Sequence, residues 1–239
     1  MVSIAHSWDS VITRLLITHE DIQVNIRDKD GISAFMRECG CGTDDLVETL
    51  MASFPGLEVG GRSNGGRSAL MQACEGGKVQ IIKLLLDRDP TSVNDTDDMG
   101  WTPLICIVDR FRPPNRLSTL HLLLEHGADL HAVPTGIFSI SPSLLTASWA
   151  WAKQDWKEEA ERASLLSLFL TFDLDCIHHR DGNGQTALML AVREGAGPLT
   201  LDLLLSHPGS GAKGINARDH KGLTALFHAL QLFSKVNWE

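Results

Sequence analysis

The sequence predicts an all-helical fold built from short helix–turn–helix units that stack side by side, with short hairpin turns between them. Three observations predict it. A short sequence word recurs along the chain, each copy is followed by apolar residues with a helical period, and no single unit is long enough to bury its apolar face alone. The chain has 239 residues, of which 43% are hydrophobic and 21% charged, so neighbouring units can cover these faces.

The recurring word consists of an Asp or another polar residue, two variable residues, a Gly, one variable residue, a Ser or Thr, a small residue and an apolar residue. Its glycines are spaced by 35, 34, 84 and 38 residues, and the interval of 84 corresponds to two units of about 42 residues. The longest interval therefore predicts a degenerate unit. The five glycines are Gly31, Gly66, Gly100, Gly184 and Gly222.

Each word predicts a tight turn followed by a short inner helix. The Gly is expected to have a positive φ, because other residues adopt that conformation only at a cost. The Ser or Thr that follows is expected to cap the helix. Small residues such as Ala73 and Cys74 in the middle of the helix let neighbouring helices approach closely. Cys39 and Cys74 occupy equivalent places, and we predict that both are core residues and not reactive thiols.

A second, outer helix follows a Gly-containing loop. In residues 79–86 the apolar side chains recur at i, i+3 and i+4, for example at Ile82, Leu85 and Leu86, while Lys83 falls on the other side. One face of this helix is therefore predicted to be buried against neighbouring units.

Together these features resemble the ankyrin repeat. The word resembles the turn and first-helix start of that repeat, whose period is about 33 residues. Residues 79–86, 119–130 and 201–205 resemble its outer helix, and Gly127-Ala128-Asp129 resembles the loop after it. The resemblance covers nearly the whole chain. It implies an ankyrin-repeat solenoid that binds partners with its hairpin tips and the exposed face of its inner helices.

We predict one array over residues 1–239. Its last unit is incomplete, with an inner helix over 225–233, which is expected where a longer protein continues. In the degenerate unit, residues 143–149 would form the inner helix and 163–172 the outer helix. The predicted units are 1–27 (partial), 28–62, 63–96, 97–133 with an insertion at 111–115, 134–180 (degenerate) with an insertion at 151–161, 181–218 and 219–239 (partial).

Composition narrows the function classes. The net charge of −9 and the pI near 5.5 argue against nucleic acid as partner and favour basic or apolar surfaces of another protein or peptide. No apolar run approaches the roughly 18 residues of a membrane span, and the first residues lack the layout of a signal peptide. The cysteine count of five is odd and sparse, which favours a reducing compartment. We therefore expect an intracellular protein, cytoplasmic or nuclear, without a membrane partner.

No cofactor, metal site or catalytic residue is predicted. Cys39 and Cys41 form the only close cysteine pair, and no clustered Cys/His spacing accompanies them. Neither a nucleophile motif nor a phosphate-binding Gly loop is present. The histidines on or after the outer helices are expected to face solvent: His121, His126, His178, His179 and His207.

The resemblance implies a partner-binding surface made of hairpin tips and inner-helix ends. Trp101 is predicted at a tip, where it either anchors a partner or packs against the neighbouring tip. Trp149 faces the same choice, and core packing is favoured for it. The predicted partner-binding residues are Arg67, Glu75, Met99, Trp101, Asp109, Arg110, Trp149, Gln185, Arg193 and Glu194. Other residues predicted at these tips and ends include Asn183, His220, Lys221, Leu223 and Gln231.

Two alternatives to a protein-binding module stay open. In the first, a small-molecule-binding or catalytic pocket forms where the two insertions meet the groove, with Asp109, Glu75 or Glu194 as acid or base. In the second, the array only spaces other domains of a longer protein. An enclosed pocket with convergent carboxylates would favour the first, and an open shallow groove would not.

Overall fold

The computed structural model describes residues 12, 15–19, 21–108, 115–133, 156–208 and 211–236. The chain forms two compact units. Unit 1 comprises Met1–Ile107 with Phe111–Gly127, and unit 2 comprises Val108–Arg110 with Ala128–Glu239. None of the described helices has the length and apolar character that crossing a membrane requires.

Short α-helices make up most of the described chain. Residues 34–125 contain α1 (Ala34–Cys41), α2 (Asp44–Ser53), α3 (Ala69–Gly76), α4 (Val79–Arg88), a 3-10 helix (Pro90–Asn94), α5 (Pro103–Val108) and α6 (Arg116–Glu125). Residues 156–236 contain α7 (Trp156–Phe172), a 3-10 helix (Leu174–His178), α8 (Ala187–Arg193), α9 (Pro198–Ser206), α10 (Ala212–Ile215) and α11 (Ala225–Val236). Among the described residues, β-pairing is limited to isolated antiparallel bridges, such as that between Arg62 and Ser68.

The inner helices start where the recurring word predicts. Ser68 precedes α3, and its hydroxyl accepts a hydrogen bond from the Met71 N–H at 3.3 Å. Thr186 does the same for α8, with Met189 N–H as the donor at 3.4 Å. Each hydroxyl satisfies one of the backbone donors that a helix leaves unpaired at its first turn. The predicted caps are thus confirmed at these helices.

Each copy of the recurring word forms a tight turn, which we call a finger. The aspartate at the start of the copy closes this turn through hydrogen bonds. Gly184 and Gly222 have φ of 76°, as predicted for the turn glycine. In the last finger, Asp219 Oδ1 accepts hydrogen bonds from the N–H groups of Lys221 and Leu223, both at 2.8 Å. The finger therefore keeps its shape through a side-chain hydrogen-bond pattern contained within one word.

Consecutive fingers are connected by backbone and arginine hydrogen bonds. In unit 2 the His220 N–H donates to the Asn183 carbonyl at 3.0 Å. Arg180 Nη1 donates to its own finger at the Gly184 carbonyl and to the next repeat at the Arg218 carbonyl, at 2.8 and 2.7 Å. In unit 1 Arg62 makes the equivalent pair of bonds. The arginine four residues before the turn glycine is a repeat feature that the sequence analysis missed.

The core lies where small inner helices and apolar outer-helix faces meet. Cys39 and Cys74 are fully buried, which confirms the prediction for these thiols. Burial raises the pKa of Cys39 to about 12, and the neighbouring Glu38 carboxylate adds to this effect. In α4, Ile82 and Leu86 are buried and Lys83 is exposed, as the helical period predicts.

The degenerate unit differs from expectation in its outer helix. α7 begins at Trp156, so residues 156–161 of the predicted insertion are helical. Strong helix formers in this stretch favour continuation of the helix. Glu159 has a packing role, because its Oε1 accepts a hydrogen bond from the Leu199 N–H at 2.8 Å at the start of α9. The inner helix expected at 143–149 lies outside the described residues.

The last helix is also longer than predicted. α11 continues to Val236, three residues beyond the expected end at 233. The boundaries of the repeats, given above from the sequence, stay a prediction.

Candidate functional site

Unit 2 has an open depression of about 430 Å³ on the face formed by its last two fingers and inner helices. The fingers at Gly184 and Gly222 form one side, and residues of α8 and α11 form the floor. We refer to it as the inner-face pocket. Its lining residues are Asn183, Gln185, Arg193, Asp219, His220, Lys221, Leu223, His228 and Gln231.

A network of contacting polar side chains, the polar network, lies along the floor of the inner-face pocket. Nε2 of the buried His228 lies 3.2 Å from Asp219 Oδ2 and 3.4 Å from Gln185 Nε2. Gln185 Oε1 accepts a hydrogen bond from Arg193 Nη1. The guanidinium of Arg193 also pairs with Glu194, whose Oε1 lies 2.7 Å from both Nε and Nη2. These contacts hold Arg193 and Gln185 in defined positions beside the pocket.

Asp219 accepts hydrogen bonds from several donors of the protein. Burial raises the pKa of Asp219, but the hydrogen bonds from the N–H groups of Leu223 and Lys221 and from His228 and Gln185 outweigh it, so the net pKa is below its usual value of 3.8. The carboxylate is therefore charged at neutral pH. Its negative charge is surrounded by donors of the finger and the pocket floor.

The pocket lining contains several basic side chains, although the protein as a whole is acidic. Arg193 and Lys221 line it, together with the imidazoles of His220 and His228, and Asp219 is the carboxylate among its lining residues. The chain as a whole has a net charge of −9. Asp219 and Glu194 balance the charges of Arg193 and Lys221 at this surface, so it lacks the net negative charge of the whole protein.

Several predicted partner-binding residues belong to this surface. Gln185 and Arg193 line the pocket, and Glu194 adjoins it through its ion pair with Arg193. The sequence analysis missed His228 as a pocket residue. The signal was a single histidine within the apolar stretch 225–230 of an inner helix.

The other predicted residues that the structure describes are in unit 1. Arg67 and Glu75 form a half-buried ion pair, and Arg67 Nη2 lies 3.5 Å from Cys106 Sγ. Glu75 also lines a shallow depression of about 290 Å³ on the inner helices α1 and α3. Met99 is 61% exposed at its finger tip, whereas Trp101 is half-buried. Asp109, Arg110 and Trp149 lie outside the described residues.

The carboxylates proposed for acid or base chemistry have partners of their own. Glu75 is paired with Arg67, and Glu194 is paired with Arg193. The third, Asp109, is among the residues that the structure does not describe.

One further group of side chains in unit 2 has the composition of a metal site. His131, Asp173 and His179 each place a donor atom within 4.8 Å of the other two. Burial lowers the pKa of His179, and the neighbouring His131 lowers it further. This group was not predicted from the sequence, where 48 residues separate the two histidines and no clustered Cys/His spacing is present.

The expected exposure of the outer-helix histidines is correct for His121 and His178 and wrong for His126, His179 and His207, which are half-buried. His126 folds back on α6, where its Nδ1 lies 2.8 Å from the Leu122 carbonyl oxygen. His179 packs against the ring of His131, with ring centroids 4.4 Å apart.

Two models of known protein families match parts of this sequence that contain the recurring word. A family model of ankyrin repeats in three copies matches residues 38–133, and a model of the single ankyrin repeat matches residues 183–220. The protein belongs to the ankyrin-repeat family. The predicted all-α repeat fold is confirmed, and ankyrin repeats are typically binding scaffolds that mediate protein–protein interaction.

Solved structures contain the same fold. One similar structure is the predatory endopeptidase Bd0816 from Bdellovibrio bacteriovorus in complex with the immunity protein Bd3460. The match has a TM-score of 0.66 and 20% sequence identity, and it covers 88% of this ankyrin-repeat chain and 95% of the solved chain. No curated protein sequence matches the chain.

Proposed function

We propose that this ankyrin-repeat protein binds another protein through its inner face, and that the inner-face pocket of unit 2 receives an acidic side chain or a terminal carboxylate of that partner. The family supports protein binding in general. The polar network on the pocket floor supports the choice of surface and of partner chemistry.

The polar network is the main observation that supports the proposal. Asp219, His228 and Gln185 are buried, and they hold Arg193 at the edge of an open depression. A folded repeat needs an apolar inner helix more than it needs a buried histidine there. A binding site, in contrast, gains from polar groups that are held in place before the partner arrives, since less side-chain entropy is lost on binding.

Charge supports an acidic partner group. The Arg193 guanidinium and the Lys221 ammonium are the permanently charged cations that line the pocket. A guanidinium matches the two oxygens of a carboxylate, and Nε and Nη2 of Arg193 pair with Glu194 in the unbound protein. We expect an Asp or Glu side chain or a chain terminus of the partner to displace Glu194 from Arg193 and to pair with Lys221 as well. The rest of the acidic surface would repel acidic partners that approach elsewhere. Charge would therefore determine which partner and which surface bind, more than how tightly they bind.

The predicted contacts of unit 1 remain part of the proposal. Met99 presents an exposed apolar side chain at a finger tip, and Glu75, paired with Arg67, lines the shallow depression on α1 and α3. These residues suit an apolar or basic group of the partner.

Charge reversal in the pocket tests this function. The immobilised protein and its Arg193→Glu/Lys221→Glu variant are each used to capture partners from a native lysate, and captured proteins are quantified by mass spectrometry. We expect the variant to lose the main partner, with an affinity for the isolated partner weakened by more than about tenfold.

The matched control is Lys83→Glu/Arg88→Glu, which makes the same change in net charge at exposed positions of the outer helix α4. This control should keep the partner, with an affinity within about twofold of the parent protein. Equal loss in both variants would show a general charge effect, and equal retention would show that the pocket is not the binding site. Either result refutes the proposed surface.

A further inference from the structure

The cluster of His131, Asp173 and His179 has the geometry of a metal site. His131 Nδ1 lies 2.6 Å from His179 Nε2, and His131 Nε2 lies 3.2 Å from Asp173 Oδ2. The two imidazoles are tilted by 56° relative to each other. These two contacts involve different ring nitrogens of His131, of which one can bind an ion. Taking one donor atom from each residue, the three atoms lie within 4.8 Å of one another in unit 2, although 42 residues of chain separate His131 from Asp173.

Two of the three side chains are held by a short rigid element. Asp173 and His179 flank the 3-10 helix Leu174–His178, whose central residues Cys176 and Ile177 are buried. Asp173 Oδ1 caps this helix by accepting a hydrogen bond from the Asp175 N–H at 2.9 Å. This bond leaves Oδ2 buried and directed toward His131, whose Nε2 lies 3.2 Å away.

The third side chain is also positioned by its own loop. The His131 N–H donates to Asp129 Oδ1 at 2.7 Å, which fixes the backbone just before the imidazole. Asp129 and Asp175, together with Asp173, act electrostatically on His179. Three carboxylates thus lie close enough to His179 to act on its charge, and negative charge near the cluster attracts a cation.

We propose that His131, Asp173 and His179 bind one divalent first-row transition-metal ion, with Zn²⁺ as the reference ion. Imidazole nitrogen combined with one carboxylate oxygen suits zinc and its neighbours, whereas magnesium and calcium prefer oxygen-only sites. Ligands of tetrahedral zinc lie about 3.3 Å apart, given metal–ligand bonds of about 2.0–2.1 Å. The three donor atoms already lie within 4.8 Å of one another, so closing the triangle requires movements of about 1.5 Å or less.

Three protein ligands leave the fourth position of a tetrahedral ion for water or for an outside donor. The ion would tie the segment at His131 to the 3-10 helix at Leu174–His178 and thereby stabilise the packing of two exit segments in unit 2. Metal binding that depends on the folded arrangement stabilises the fold by mass action.

Zinc titration of the untagged full chain tests the site. After treatment with EDTA and removal of the chelator, Zn²⁺ binding is measured by isothermal titration calorimetry, and thermal unfolding is followed with and without the ion. We expect one equivalent per chain and a Tm raised by about 5 °C when free zinc exceeds Kd a hundredfold. Cobalt(II) should give the intense visible absorption of a four-coordinate ion.

Ligand variants locate the ion. His131→Ala and His179→Ala should each weaken zinc binding by more than about 100-fold. Asp173→Asn retains an oxygen that can cap the 3-10 helix but removes the charged ligand, so it should weaken binding while keeping the helical circular-dichroism signal. His178→Ala is the matched control, because His178 is exposed in the same 3-10 helix and outside the cluster, and it should bind zinc as the parent does.

Stoichiometric binding that is lost in the three ligand variants and kept in His178→Ala supports the site. The proposal is refuted if the parent protein takes up no zinc at one equivalent, or if His131→Ala and His179→Ala bind it as tightly as the parent.

Discussion

Gly76 marks a close approach between two consecutive inner helices, α1 and α3. A Cβ added at Gly76 would overlap the carbonyl oxygen of Gly40. The backbone of Gly40 cannot move away without shifting the whole of α1, which packs in the core through Phe35 and Met36. A single absent methyl group therefore sets the distance between two repeats in unit 1.

We expect Gly76→Ala to lower the free energy of unfolding by about 1–3 kcal/mol, because the added methyl forces the two helices apart. Urea denaturation followed by circular dichroism measures the change. Gly65→Ala is the matched control, since a Cβ at Gly65 meets no atom within 4 Å. Its stability should stay within about 0.5 kcal/mol of the parent or rise slightly. Similar losses in the two variants would mean that helix spacing is not set at Gly76.

The sequence predicted the roles of single residues correctly where a role depends only on the residue type and its neighbours in the chain. The turn glycines and the capping residues Ser68 and Thr186 were recognised because positive φ and capping hydroxyls are local properties. His228 was missed, since its contact with Gln185 exists only after two repeats have stacked, and its partner Asp219 lies nine residues away in the same repeat.

At the scale of elements, the finger is the most regular feature. Asp219 closes its finger through N–H groups two and four residues later, and Asp28 does the same in unit 1 with the N–H groups of Asp30 and Ile32. The hydrogen bond from Ile32 is the largest cause that lowers the pKa of Asp28 below 3.8. Ionised finger aspartates thus stabilise the folded chain.

The sign of the pH dependence follows from these lowered pKa values. A carboxyl group with a lower pKa in the folded state stabilises that state above its unfolded pKa, here 3.8, and the contribution is lost as the pH falls through the folded pKa. We expect the urea midpoint to fall between about pH 4 and about pH 2.

Asp219→Asn should make that fall shallower, while Asp202→Asn, an exposed position on the outer helix α9, should leave its slope unchanged. Urea titrations at a series of pH values measure both. A slope for Asp219→Asn identical to that of the parent would contradict a stabilising role for the ionised finger carboxylate.

Element boundaries were predicted less well than element types. The period of the apolar residues indicated the outer helices, but α7 begins at Trp156 because helix-forming residues precede the apolar stretch. No helix was predicted at Leu174–His178, where the structure has a 3-10 helix. Its five residues are too few to show a period, and it forms because Asp173 caps it and Cys176 and Ile177 are buried.

At the scale of the whole molecule, the repeat pattern predicted the family and the fold class, because a recurring word constrains every unit in the same way. Sites that join residues from different repeats could not be predicted in the same way. The cluster of His131, Asp173 and His179 and the inner-face pocket both depend on which side chains stacking brings together. Recognition residues vary from repeat to repeat, so the scaffold pattern alone does not identify a partner.

Hydrogen–deuterium exchange of the chain with and without its captured partner tests most directly whether the inner face binds that partner. We predict that exchange slows by more than about tenfold in residues 183–193 and 219–231, around the inner-face pocket, while the outer helices α7 and α9 keep their rates. Slower exchange in α7 and α9 with unchanged rates in residues 183–193 and 219–231 would contradict it.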